Sequence, residues 1–184
     1  MPQSPMSFLS QIMRRPAPIA ATLCAAFLLP AGCAQHHRDP IVQKQIQAAY
    51  DAQSRAYDRK DASGVLAICS PDYQDVNGNE SDGMDKYAET IRGFVSMADT
   101  MDATATVSDA DIAGDRADVT VHRHFDMSTV VMPKDGKHHQ FVSDETNTDT
   151  WERDSVKGWL KLRSVTTRSS STLDGKSAAE GDAS

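Results

Sequence analysis

The chain has 184 residues, enough for about one domain. Its 39% hydrophobic and 24% charged composition fits a globular protein rather than a disordered one. A net charge of −7 and a pI near 5.2 exclude the basic surface that nucleic-acid binding needs.

Arg14 and Arg15 precede an apolar run, Ile19 to Leu29, of 11 residues. A bilayer-spanning helix needs roughly 20. A basic patch, a short apolar core and then small residues make the pattern of an export signal. Pro16, Pro18 and Pro30 argue against a buried helix at the same place. Residues 1–33 are therefore expected to be a signal peptide, and the working protein to lie outside the cytoplasm. The segment Leu28-Leu29-Pro30-Ala31-Gly32-Cys33 resembles the lipobox of bacterial lipoproteins, with Pro30 where that family usually has leucine. The resemblance implies cleavage before Cys33 and a lipid on Cys33, which would hold the protein on the periplasmic side of a bacterial membrane. The alternative is cleavage after Ala34, giving a soluble periplasmic or secreted protein. Cys69 is then the domain's one cysteine, which excludes an internal disulfide. Its neighbours Val65, Leu66 and Ile68 make it a core residue.

Residues 34–39 read as a polar tether, 40–167 as the folded domain, and 168–184 as a disordered tail rich in Ser, Ala, Gly and Asp. Val42, Ile46, Ala49, Tyr50, Ala56 and Tyr57 keep a helical period, with Pro40 suited to the first turn. Asp61 suits an N-cap for a short second helix carrying Val65, Leu66 and Ile68, ended by Ser70-Pro71. Asp72 to Val76 is a short strand before the Asn77-Gly78 turn. Asp82 or Asp85 opens a third helix with the stripe Tyr87, Ile91, Phe94, Val95 and Ala98. Beyond Ala98 the period becomes two. Turns at Gly114-Asp115, Pro133 to Lys137 and Asp154 to Gly158 separate four strands, the last two being His139 to Glu152 and Trp159 to Thr167. The expected fold is α+β: three N-terminal helices packed on a strongly curved antiparallel sheet.

This order resembles the nuclear-transport-factor-2-like superfamily, which includes SnoaL-like cyclases and ketosteroid isomerases. The residues that carry it are Ala56-Tyr57-Asp58-Arg59-Lys60-Asp61, the segment Val65 to Cys69, Ser70-Pro71-Asp72-Tyr73, and the closing pair Trp151-Glu152-Arg153 and Lys157 to Leu162. The resemblance implies a cone-shaped sheet around a long helix, a pocket at its open end, and a homodimer formed through the sheet. Ketosteroid isomerases use an Asp base with a Tyr and a protonated Asp as oxyanion hole. Asp75 stands near the base position, Gln53 falls at the Tyr position and Thr146 at that of the second acid. One role of three is matched.

Strand alternation points Arg123 inward with Val119, Val121 and Phe125. A buried arginine needs a partner, and Glu145 or Asp149 would supply one. Glu145, Asn147, Asp149 and Trp151 share one parity. Tyr50, Tyr57, Asp75, Arg123, Asp149 and Trp151 are therefore the candidate pocket residues. His122 and His124 have metal-ligand spacing, yet alternation puts them on the opposite face, toward solvent or a partner subunit. The pairs His36-His37 and His138-His139 are expected to be solvated. No metal, cofactor or catalytic set is assigned. The leading expectation is an exported, membrane-anchored binding or accessory domain with a pocket for a small, partly apolar ligand. The alternatives are a SnoaL-like enzyme working by proton transfer, with Asp75 or a pocket His as base, and a structural envelope protein.

Overall fold

A computed structural model of the protein describes residues 38–131 and 136–177. The export segment, Cys33 and His36-His37 lie outside the described residues.

Helix α1, Pro40–Asp58, starts where Asp39 caps it: the carboxylate accepts from Ile41 N at 2.8 Å and from Val42 N, with Pro40 in the first turn. Its inward face is Ile46, Tyr50, Gln53, Ala56 and Tyr57. Helix α2, Ala62–Leu66, is capped by Asp61, which accepts from Gly64 N at 3.0 Å. Gly64 is required here because a Cβ would meet Asp61 Oδ2 at 2.5 Å and Ala56 Cβ at 2.8 Å. Strand β1, Cys69–Asn77, begins three residues earlier than Asp72, because Ser70-Pro71 continues an extended chain instead of closing the helix. The turn at Gly78, with φ of 60°, leads into a short strand β2, Glu80–Gly83. Helix α3, Met84–Met97, then buries Tyr87, Ala88, Ile91 and Val95.

Strands β3 (Ala98–Ala113), β4 (Arg116–Thr129), β5 (Gln140–Asp154) and β6 (Gly158–Leu173) form the antiparallel meander. A two-residue strand β7, Lys176–Ser177, follows. The sheet runs β2-β1-β6-β5-β4-β3, with β7 beside β6. It is curved and unclosed, and β1 joins β6 in parallel. Among the described residues three helices accompany this sheet in an α+β domain, the expected class. The expected disordered tail is corrected over its first part. Residues 168–173 continue β6, because Ser and Thr tolerate extended backbone and β5 offers them partners, such as Glu145 opposite Ser169. Residues 178–184 lie outside the described set.

The edge strand β3 is covered by α1 rather than left open. Gln47 spans two of its backbone groups, donating to Ala105 O and accepting from Val107 N, each at 2.8 Å. Asp58 accepts from Ala103 N at 3.2 Å. Side chains of the helix thus satisfy groups that would otherwise template another chain. The core between helices and sheet is aromatic, with Tyr50 on Trp151 and Tyr57 on Phe125 both edge-to-face at 5.2 Å.

Candidate functional site

The alternation of β4 and β5 sends Arg123, Asn147, Asp149 and Trp151 to the interior. Helix α1 presents Tyr50 and Gln53 to the same place. These residues form a sealed polar floor around one carboxylate. Asp149, with no exposed surface, accepts from the Tyr50 hydroxyl through Oδ2 and from Ser164 Oγ through Oδ1 at 2.6 Å. Two cations face it: Arg123 Nη2 at 3.8 Å and Lys161 Nζ at 3.7 Å. Arg123 also donates to Gln53 Oε1 at 3.3 Å, while Gln53 Nε2 donates to Val65 O at 3.0 Å. Of the two partners expected for Arg123, Asp149 is the one that pairs with it.

Burial and charge set the proton affinities of this floor. Burial works against the Arg123 charge, but Asp149 and the surrounding phenols outweigh it and hold its pKa above the usual arginine range. Burial, then the neighbouring Arg123, pushes Lys161 down despite Asp149. Burial, then Asp149, raises the Tyr50 phenol well above its ordinary value.

Beside the floor lies a cavity of about 240 Å³. Its apolar wall is Tyr57, Tyr87, Ile91, Phe94, Phe125 and Phe141, from α1, α3, β4 and β5. Its polar wall is Asp75, Asn77, Arg123, Ser143, Glu145 and Asn147. Asp75 accepts from the Tyr73 hydroxyl at 3.0 Å. Burial pushes the Tyr57 phenol up to about 12. Two buried atoms of the polar wall, Arg123 Nε and Asn147 Oδ1, have no hydrogen-bond partner among the described residues.

Tyr57, Asp75 and Arg123 therefore line the cavity. Tyr50, Asp149 and Trp151 do not. They sit fully buried in and around the floor, Tyr50 and Arg123 meeting at Asp149 and Trp151 packed edge-on against Tyr50. Thr146, placed by residue count at an acid position, lies on the outer face, where its hydroxyl meets His122 Nδ1 at 3.1 Å. Its inward neighbours Glu145 and Asn147 occupy the cavity wall instead. His122 and His124 are on that outer face, His124 bonded to Asp144 at 2.8 Å. Among the described residues no group of three or more His, Cys, Asp or Glu could hold a metal. Lys161 and Ser164 were not expected in the floor. A bulge in β6 opposite Thr150 and Trp151 brings them there, and no residue pattern announces it.

No family model and no curated protein matches the chain in sequence. Solved structures do match in shape. A nuclear transport factor 2 superfamily protein from Salmonella enterica is 14% identical, covers 69% of this chain and 90% of its own, and gives a TM-score of 0.52. A Novosphingobium aromaticivorans protein provisionally named a scytalone dehydratase is 15% identical over 70% of this chain and 86% of its own, with a TM-score of 0.58. A Streptomyces avermitilis protein, provisionally named a dehydratase of the same superfamily, is 18% identical over 68% and 95%, with a TM-score of 0.53. The helices, the curved open sheet and these likenesses together give the chain the nuclear-transport-factor-2-like fold.

Proposed function

We propose that this protein is a small-molecule-binding domain, exported and held at a membrane surface by a lipid on Cys33. The observation that carries the binding reading is the cavity itself. Aromatic rings from α1, α3, β4 and β5 line a cavity of about 240 Å³, together with polar groups from β1, β4 and β5. Ligand sites are mostly apolar concavities with a few placed polar groups, which this arrangement matches. The sealed floor supports the same reading. Asp149, Tyr50 and Ser164 satisfy one another and fix Arg123, so the wall is set before a ligand arrives. The test is a thermal-shift and NMR screen of uncharged and charged small aromatics against the mature protein. Shifts confined to Phe94, Phe125, Phe141 and their neighbours support the reading, and a screen with no binder at all removes it.

A second reading rests on Asp75. Its carboxylate stands on the cavity wall with one oxygen held by Tyr73, which suits a base for proton transfer. Two structural likenesses carry dehydratase names. If this reading holds, Asp75→Asn leaves binding intact and abolishes turnover of a substrate found in the screen.

The anchor and the oligomer are separate proposals. Mass spectrometry of the mature N-terminus decides the first: a diacylated Cys33 supports it, and an unmodified chain starting after Ala34 removes it. Sedimentation of the domain decides the second, a homodimer through the outer face of the sheet.

A further inference from the structure

Arg123 has two carboxylates on its neighbouring strand, and it pairs with one of them. Its direct partner in the β4–β5 register is Glu145. Its guanidinium goes instead to Gln53 and Asp149. Glu145 shares the inward parity of Ser143 and Asn147 and lines the cavity, half-buried. Its carboxylate accepts only a long hydrogen bond, at 3.5 Å from Ser143 Oγ. Asp75, held by the Tyr73 hydroxyl, adds a second carboxylate to the lining. Among the described residues no lysine, arginine or histidine forms an ion pair with either. The same lining carries a continuous string of rings. Tyr57 stands 5.2 Å from Phe125, and Phe94 stands 6.2 Å from both Phe125 and Phe141.

We infer that the cavity selects a protonated amine on a small aromatic body, with Glu145 accepting from the ammonium group. This rests on the reading of the cavity as a ligand site. A carboxylate partly sheltered from water attracts a cation more strongly than one in bulk solvent. The negative faces of aromatic rings attract the same charge. Arg123 lines the cavity too, but Asp149 offsets its charge and the residue is only 8% exposed. Two carboxylates against one guanidinium leave the lining negative, and the chain's net charge of −7 acts in the same sense on an approaching ligand. An anion is opposed on both counts. The floor holds Arg123 and Lys161 against Asp149 alone, so it repels an ammonium, and the favoured position is at the Glu145 carboxylate. The cavity is smaller than the roughly 300–1,000 Å³ of sites for drug-sized ligands, which limits the body to about one ring with a short chain.

The experiment is an NMR titration of the mature protein with three molecules of matched shape: 2-phenylethylamine, 2-phenylethanol and 3-phenylpropanoate. At pH 7 the amine is expected to bind about tenfold more tightly than the alcohol, with shifts at Tyr57, Phe94, Phe125 and Phe141, and the propanoate most weakly. In Glu145→Gln the amine's advantage shrinks to under about threefold while the alcohol's affinity is kept. Added salt weakens the amine and leaves the alcohol unchanged. An amine no tighter than the alcohol overturns the inference but leaves the cavity a ligand site. So does tightest binding of the propanoate, or an amine preference that survives Glu145→Gln. Amine shifts confined to acids outside the cavity, with the alcohol still bound inside, overturn it in the same way. If none of the three binds in the cavity, both readings fall. If the variant does not fold, the parent's series and its salt dependence decide alone.

Discussion

Lys161→Met tests the electrostatics of the floor most directly. Lys161 is fully buried, its Nζ makes no hydrogen bond among the described residues, and it stands 3.7 Å from Asp149 Oδ2. At an effective dielectric of about 20, such a pair attracts by about 4.5 kcal/mol. Tyr73, whose ring centre is 5.1 Å from Nζ, adds about 0.5–2 kcal/mol of cation–π attraction. Against this stand several kcal/mol for desolvating the ammonium and the repulsion of Arg123, which shares the same carboxylate. The opposing terms win, since burial and Arg123 together hold the Lys161 pKa below its ordinary value. Removing the charge should therefore leave stability unchanged or raise it by about 1–3 kcal/mol at pH 7, a Tm gain of up to about 10 °C. The effect carries a pH signature. With its folded pKa depressed, Lys161 binds fewer protons in the folded than in the unfolded chain, so the parent gains stability as pH rises toward about 10.4. The variant lacks that gain, and its advantage should narrow as pH rises toward about 10.4. Urea unfolding followed by tryptophan fluorescence measures both values, since Trp151 is fully buried in the native state. A variant less stable than the parent by more than about 1 kcal/mol, or a difference that ignores pH, refutes the reasoning.

The opposite change, Asp149→Asn, strips the carboxylate from two buried cations and should cost about 3–5 kcal/mol in the same unfolding assay. Tyr50→Phe removes one charged hydrogen bond to Asp149 and should cost about 1.5–3 kcal/mol. Burial raises the pKa of Tyr50, Tyr57, Tyr73 and Tyr87, with Tyr57 pushed up to about 12, so their neutral forms stabilise the fold below about pH 10 and that support is lost as pH climbs toward 12. The phenolate absorbance should accordingly rise in one step with alkaline unfolding, and a gradual titration of the native protein would contradict this. Gly64→Ala forces a methyl against Ala56 and Asp61 and should cost about 1–3 kcal/mol, read from the melting temperature.

What could be read before the structure follows from periodicity, and what could not follows from its interruption. The helical period named the inward residues of α1, including Tyr50 and Tyr57, but periodicity fixes a face and not a depth. Tyr57 reaches the cavity while Tyr50, two turns earlier, ends beneath it on Asp149. Alternation likewise put Arg123 and Asp149 inside on neighbouring strands. The same rule fails on β6. Strict alternation from Lys161 would turn Arg163 inward and Ser164 outward. Instead, Trp151 faces Lys161 and Thr150 faces Arg163, which leaves Leu162 as the extra residue of a bulge. Ser164 thereby joins Lys161 on the inner face and reaches the second oxygen of Asp149. The bulge also keeps the Arg163 guanidinium out of a floor that already holds two cations for one carboxylate. A third buried cation there would have no partner, so the irregularity that hides Lys161 from the sequence pattern also lets the floor exist.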